Sequence, residues 1–70
     1  MKEVTASMAG TVLTVFVTAG VQVNPGQEVV MLESMKMEIP IESGTEGVVR
    51  EVKVRIGDFV NEGDVLLVLE

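Results

Sequence analysis

Residues 33–37 read Glu33-Ser34-Met35-Lys36-Met37, and this is the one place in the chain where the neighbours of a potential nucleophile single it out. A lysine offers nucleophilic attack by its neutral amine, and it needs another group to take its proton. The rest of the sequence supplies few partners for such work. There is no His, so the commonest general base and the commonest transition-metal ligand are both missing. There is no Cys, which removes disulfides and thiolate metal sites. Self-sufficient hydrolases and metalloenzymes are disfavoured on both counts, and no catalytic or metal-ligating set is expected.

The elements around Lys36 come from an internal repeat. A shift of 37 residues aligns 9–33 with 46–70 without a gap, and ten of the 25 positions are identical. The identical pairs include Gly10/Gly47, Val12/Val49, Val23/Val60, Asn24/Asn61 and Gly26/Gly63. The same shift carried backwards pairs Val4 with Ile41. Two copies are too few for a solenoid, so the halves should cover each other's apolar faces about a pseudo-two-fold axis. Each half reads as β. Segments 12–17 and 48–54 are rich in β-branched residues and bounded by Gly. Their shared apolar positions fall at i, i+3 and i+5, one residue out of strict alternation, which predicts a bulge in each strand. Asn24-Pro25-Gly26-Gln27 and Asn61-Glu62-Gly63-Asp64 read as matched turns with Gly at the position that needs a positive φ. Segments 29–32 and 66–69 then close the halves.

Ser34 to Met37 is what remains between the two copies. Folding the chain at Met35–Lys36 pairs Ser34 with Met37, Glu33 with Glu38 and Leu32 with Ile39, which is a hairpin. Its tip holds none of the Gly, Asn, Asp or Pro that tight hairpins select. A type I turn would tolerate these residues without calling for them. An exposed lysine on a turn is ordinarily a solvated charge, and methionines are ordinarily core filler. Position between repeats, hairpin geometry and unsuitable turn chemistry together point instead to recognition.

Seventy residues make one domain, residues 1–70. Hydrophobic residues are 47% of the chain, and with Phe16 and Phe59 its only aromatics the core should be built from Val, Leu, Ile and Met. Eleven acidic against five basic residues give a net charge of −6, which argues against nucleic acid and anionic membranes as partners. The apolar run over 12–17 is too short for a membrane span or a signal-peptide core. A cytoplasmic location is expected. The chain opens on Met1 without an Ala/Pro-rich linker, which points to a free-standing protein, expected to be monomeric by itself.

The Met-Lys-Met segment resembles the biotinylation motif of the biotinyl/lipoyl attachment family, in which the modified lysine lies between two methionines. The resemblance covers essentially the whole chain. Met8-Ala9-Gly10, Val23 to Gly26, Gly47-Val48-Val49, Gly57-Asp58-Phe59-Val60 and Glu62-Gly63-Asp64 all sit where the family has them. The length is similar to that of small single-domain members of the biotin carboxyl carrier type. Membership implies an all-β flattened barrel of two four-stranded antiparallel sheets, with the modified lysine on a hairpin and no catalytic activity of its own. Two departures stand out. Ser34 occupies a position that is often Ala in carboxylase carriers and leans toward the lipoyl pattern, whereas Met35 and Met37 lean toward biotin. The gapless repeat also leaves no room for the thumb insertion of some acetyl-CoA carboxylase carriers.

The resemblance implies covalent biotin on Lys36, with Met35 and Met37 as flanking recognition residues and Glu33 and Ser34 in the hairpin. A biotin protein ligase would form biotinyl-adenylate, and the amine of Lys36 would displace AMP to give an amide. The arm would then serve a biotin carboxylase and a carboxyltransferase, with the tether replacing a fresh bimolecular encounter at each. A lipoyl carrier with lipoate on Lys36 and an unmodified structural barrel-sandwich module are the alternatives. The repeat also places the tip and the chain termini at symmetry-related positions, which predicts opposite ends of the barrel.

Overall fold

The β-branched, glycine-punctuated segments form strands throughout the computed structural model, which describes all 70 residues. In chain order they are β1 (Lys2–Thr5), β2 (Gly10–Val15), β3 (Gln22–Val23), β4 (Glu28–Ser34), β5 (Met37–Glu42), β6 (Gly47–Val52), β7 (Phe59–Val60) and β8 (Val65–Leu69). They make two four-stranded antiparallel sheets, ordered β1-β8-β6-β3 and β5-β4-β2-β7. The 37-residue shift carries β1 onto β5, β2 onto β6, β3 onto β7 and β4 onto β8. It therefore converts the first sheet order into the second, and the pseudo-symmetry expected from sequence is that of the whole fold.

The symmetry extends to single hydrogen bonds. The Gly26 N–H donates to the Ser43 carbonyl at 2.8 Å, and its counterpart Gly63 donates to Ala6 at 2.8 Å. The Ala6 N–H donates to Asp64 and the matching Ser43 N–H to Gln27. These bonds clip the end of each half onto the other. Both turn glycines have the positive φ expected of them, 83° at Gly26 and 89° at Gly63, and the Gln27 N–H closes the first turn onto the Asn24 carbonyl at 3.1 Å. Positive φ at the third turn residue, directly after Pro25, is the type II arrangement.

The bulges also lie where the broken alternation puts them. The β2–β4 register shifts between Val12 and Thr14, and the β6–β8 register between Val49 and Glu51. Each bulge lets Val12 and Val15, or Val49 and Val52, turn to the same interior although three residues separate them. Strands β2 and β6 stop at Val15 and Val52, two residues short of the ends read from sequence. Val17 remains buried beyond the ladder, so the apolar pattern overruns the strand.

The core lies between the sheets and is built in matched pairs, among them Val12 with Val49, Val30 with Leu67 and Leu32 with Leu69. Burying each such side chain contributes roughly 1.5–3 kcal/mol. Methionine takes no part in it, contrary to the sequence expectation. Valine and leucine fill the narrow interior, Met31 is half-buried, and the other four methionines are exposed. Both phenylalanines are exposed as well.

Candidate functional site

The long β4–β5 ladder positions Lys36. Its register pairs Leu32 with Ile39, Glu33 with Glu38 and Ser34 with Met37, as the sequence predicts, and leaves Met35 and Lys36 as a two-residue loop. Strand β4 is held on its other edge by β2, with Thr11 opposite Glu33. Gly10 makes that approach possible. A Cβ there would stand 2.8 Å from the Glu33 carbonyl oxygen, and at the matched Gly47 one would stand 2.9 Å from the Glu70 carbonyl oxygen. The strand that ends in the tip is thus clamped between two neighbours almost to its last residue.

The turn itself departs from the type I geometry considered from sequence. Met35 has φ 52° and Lys36 has φ 66°, and they are the only non-glycine residues with positive φ. Two consecutive left-handed residues are the pattern of a type I′ turn, whose twist matches that of the flanking strands. The ladder therefore dictates the handedness, and the two side chains accept it at a cost of about 1–2 kcal/mol per residue. Non-glycine residues held this way are found where surroundings over-determine the backbone, often at functional sites.

At that tip Met35 is 92% exposed and Met37 64% exposed. Lys36 is exposed, and the chain's single salt bridge joins Lys53 to Glu51 at 3.2 Å, away from the hairpin. Glu33 and Glu38 are exposed and directly opposite each other across the ladder. Ser34 is half-buried at the last pair before the turn. The hairpin thus brings together all five residues singled out from sequence. An amine with no carboxylate held against it, raised on a clamped hairpin and flanked by bare apolar side chains, is suited to covalent acylation by a second protein. Phe59 also faces outward on this sheet, opposite Thr11, and was not singled out. The signal that marks it is the internal repeat, which places Gln22 at the matching position.

A family model described as "Biotin-requiring enzyme" matches residues 2–69. This chain belongs to the biotin/lipoyl attachment family. It is 61% identical over 66 residues to the biotin/lipoyl attachment protein of Bacillus subtilis, covering 94% of this chain and 90% of that one. It is 43% identical over 68 residues to the biotinylated protein TB7.3 homolog of Mycobacterium leprae, covering 97% of this chain and 96% of that one. Among solved structures it superposes with a TM-score of 0.90 on part of the urea carboxylase of Kluyveromyces lactis, at 25% identity, covering 99% of this chain and 6% of that enzyme. The small relatives match nearly end to end, whereas the carboxylase contains the fold as one small part.

Proposed function

We propose that this protein is a biotin carboxyl carrier in which Lys36 bears the prosthetic group as an amide. The observation that carries the reading is the tip: a lysine at φ 66°, between two exposed methionines, on a hairpin that holds no other lysine. Full-length similarity to a protein named as biotinylated supports it. When attached, biotin would supply carboxyl transfer between an enzyme that loads it and one that delivers the group onward.

What the chain's own residues do is present and orient. The amine of Lys36 attacks the acyl carbon of biotinyl-adenylate held by a biotin protein ligase, AMP leaves, and the amine proton passes to the ligase or to solvent. Nothing else on the tip can serve as a base for that proton except Glu33 and Glu38, and neither forms a salt bridge with the amine. Clamping by β2 and β5 holds the attachment point while the arm sweeps, so each partner meets the group at a high effective concentration. Met35 and Met37, adaptable and polarisable, can fit several apolar recesses in turn.

The test is incubation of the chain with biotin protein ligase, ATP and biotin, followed by intact-mass and peptide analysis. One biotin at Lys36 is expected, and none on Lys36→Arg, whose guanidinium stays protonated at any ordinary pH. Biotin on Lys2 or Lys53 of the variant would refute the assignment. Lipoate on Lys36 of the chain purified from its native cell would replace the biotin reading with the lipoyl one.

A further inference from the structure

A fold made of two matched halves contains its own control. Phe59 and Gln22 occupy one position in the two halves. Each opens a two-residue strand, and each pairs with the matching residue of its neighbour, Phe59 with Thr11 and Gln22 with Val48. The fold is served by glutamine at this place, so it does not demand an aromatic ring there. Yet Phe59 stands 66% exposed to water.

Its surroundings suggest a use. Glu38, Glu33, Thr11 and Phe59 form one straight row across the sheet that carries Lys36. With strands about 4.8 Å apart, the ring sits roughly 10 Å from Glu33, and the tip lies only a few residues further on. Phe59 thus adds an exposed apolar side chain to the outer face of this sheet, in line with Glu33 and Glu38 and beside the tip. The charge of this sheet is one-sided. Its strands carry Glu28, Glu33, Glu38 and Glu42 and no basic residue, while the glutamates in the strands of the other sheet are balanced by Lys2 and Arg50. The complement of such a face is an apolar recess rimmed by basic groups.

We propose that Phe59 is a docking residue for the ligase that acylates Lys36, received in an apolar recess with a basic rim. The proposal rests on the carrier reading. A ligase must bring the Lys36 nitrogen itself to the reacting carbon, so the tip enters its site and the sheet face beside the tip meets its surface. The carboxyl-transferring enzymes work on the far end of a long arm, so a contact on the sheet face beside the tip bears most on the ligase. Phe59 touches neither the amine nor the acyl group, so it acts on binding and not on the chemical step.

The experiment compares Phe59→Gln, which installs the residue the other half already uses, with Phe59→Leu and with Gln22→Phe on the opposite sheet. Circular dichroism confirms that each is folded, and biotin transfer is measured with a biotin protein ligase, ATP and biotin at varied carrier concentration. Phe59→Gln should raise KM for the carrier about tenfold with kcat little changed, the signature of lost uniform binding. Phe59→Leu should recover most of the loss, and Gln22→Phe should match the parent. Raising NaCl to about 0.5 M should lower kcat/KM several-fold, because screening weakens contact with a basic rim. A parental KM for Phe59→Gln, an equal effect of Gln22→Phe, or indifference to salt would overturn the proposal while leaving the carrier reading intact. Failure of the parent chain to take biotin at Lys36 would overturn both.

Discussion

Replacing Met35-Lys36 with Asn-Gly should stabilise the domain while abolishing attachment. Met35 and Lys36 occupy the left-handed region at φ 52° and 66°, in a two-residue hairpin loop. An L-residue other than glycine gives up about 1–2 kcal/mol to sit there. Asn enters that region more readily than Met, and Gly enters it without a Cβ penalty. Gly at position 36 returns about 0.5–1 kcal/mol of this through the greater freedom of the unfolded chain. Little burial is lost in exchange, because Met35 is 92% exposed and Lys36 is exposed without a salt bridge. The net gain should be on the order of 1–2 kcal/mol, which for a domain of this size raises the melting midpoint by about 7–14 °C. The assay is thermal unfolding of the unmodified parent and variant by far-UV circular dichroism, with a denaturant titration to confirm an unchanged m-value. A midpoint equal to or below the parent's would show that the tip is not strained, and the argument from its backbone would fall.

Gly26→Ala and Gly63→Ala should each lower stability by about 1 kcal/mol or more, through φ alone, since a Cβ at either site meets open space; an unchanged urea midpoint in both would refute the turn assignment. Gly10→Ala and Gly47→Ala should also destabilise, here by contact with the Glu33 and Glu70 carbonyls, at a cost of about 1–3 kcal/mol. Only Gly10→Ala should also slow biotin transfer in single-turnover assays, because only it displaces the strand that leads into the Lys36 turn. Met35→Asp combined with Met37→Ala should lower biotinylation and raise lipoylation in parallel ligase assays, and equal biotinylation of both proteins would show that the tip sequence does not discriminate. Exchanging Met35 with Lys36 should leave the circular dichroism spectrum unchanged and cut biotin transfer from pre-formed adenylate at least tenfold, about 1.4 kcal/mol in transition-state stabilisation.

Most of the architecture was legible because the chain states it twice. Matched spacings in 9–33 and 46–70 gave the pseudo-two-fold relation, both bulges and both glycine turns, and the hairpin register followed from folding the leftover segment on itself. The misreadings share a cause. Hydrophobicity does not separate a core methionine from a displayed one, so methionine was expected in the core, where the structure puts none. Val17 is buried beyond the last ladder pair of β2, so an apolar pattern alone overran the strand. Strands β3 and β7 hold two residues each, too few for any period to register. The handedness of the tip was hidden because Met and Lys carry no mark of a left-handed backbone, whereas Gly26 and Gly63 do.

Several features near Lys36 oppose stability, and their coincidence is informative. The turn places two non-glycine residues in the left-handed region. The ladder sets Glu33 directly opposite Glu38, a like-charge pair that disfavours the strand contact. The tip leaves two methionines in water. The left-handed residues cost about 1–2 kcal/mol each and the charge pair up to about 1 kcal/mol, while the exposed methionines contribute no burial. The matching half is built without the like-charge pair and without the exposed ring. Glu70 and Met1 stand where symmetry would put Glu33 and Glu38, so no like-charge pair arises, and Gln22 replaces the exposed ring of Phe59. A natural domain departs from local preference at few places, usually functional ones. The left-handed backbone outside glycine is confined to Met35 and Lys36, at the one lysine the hairpin raises, and stability alone gives no account of that confinement.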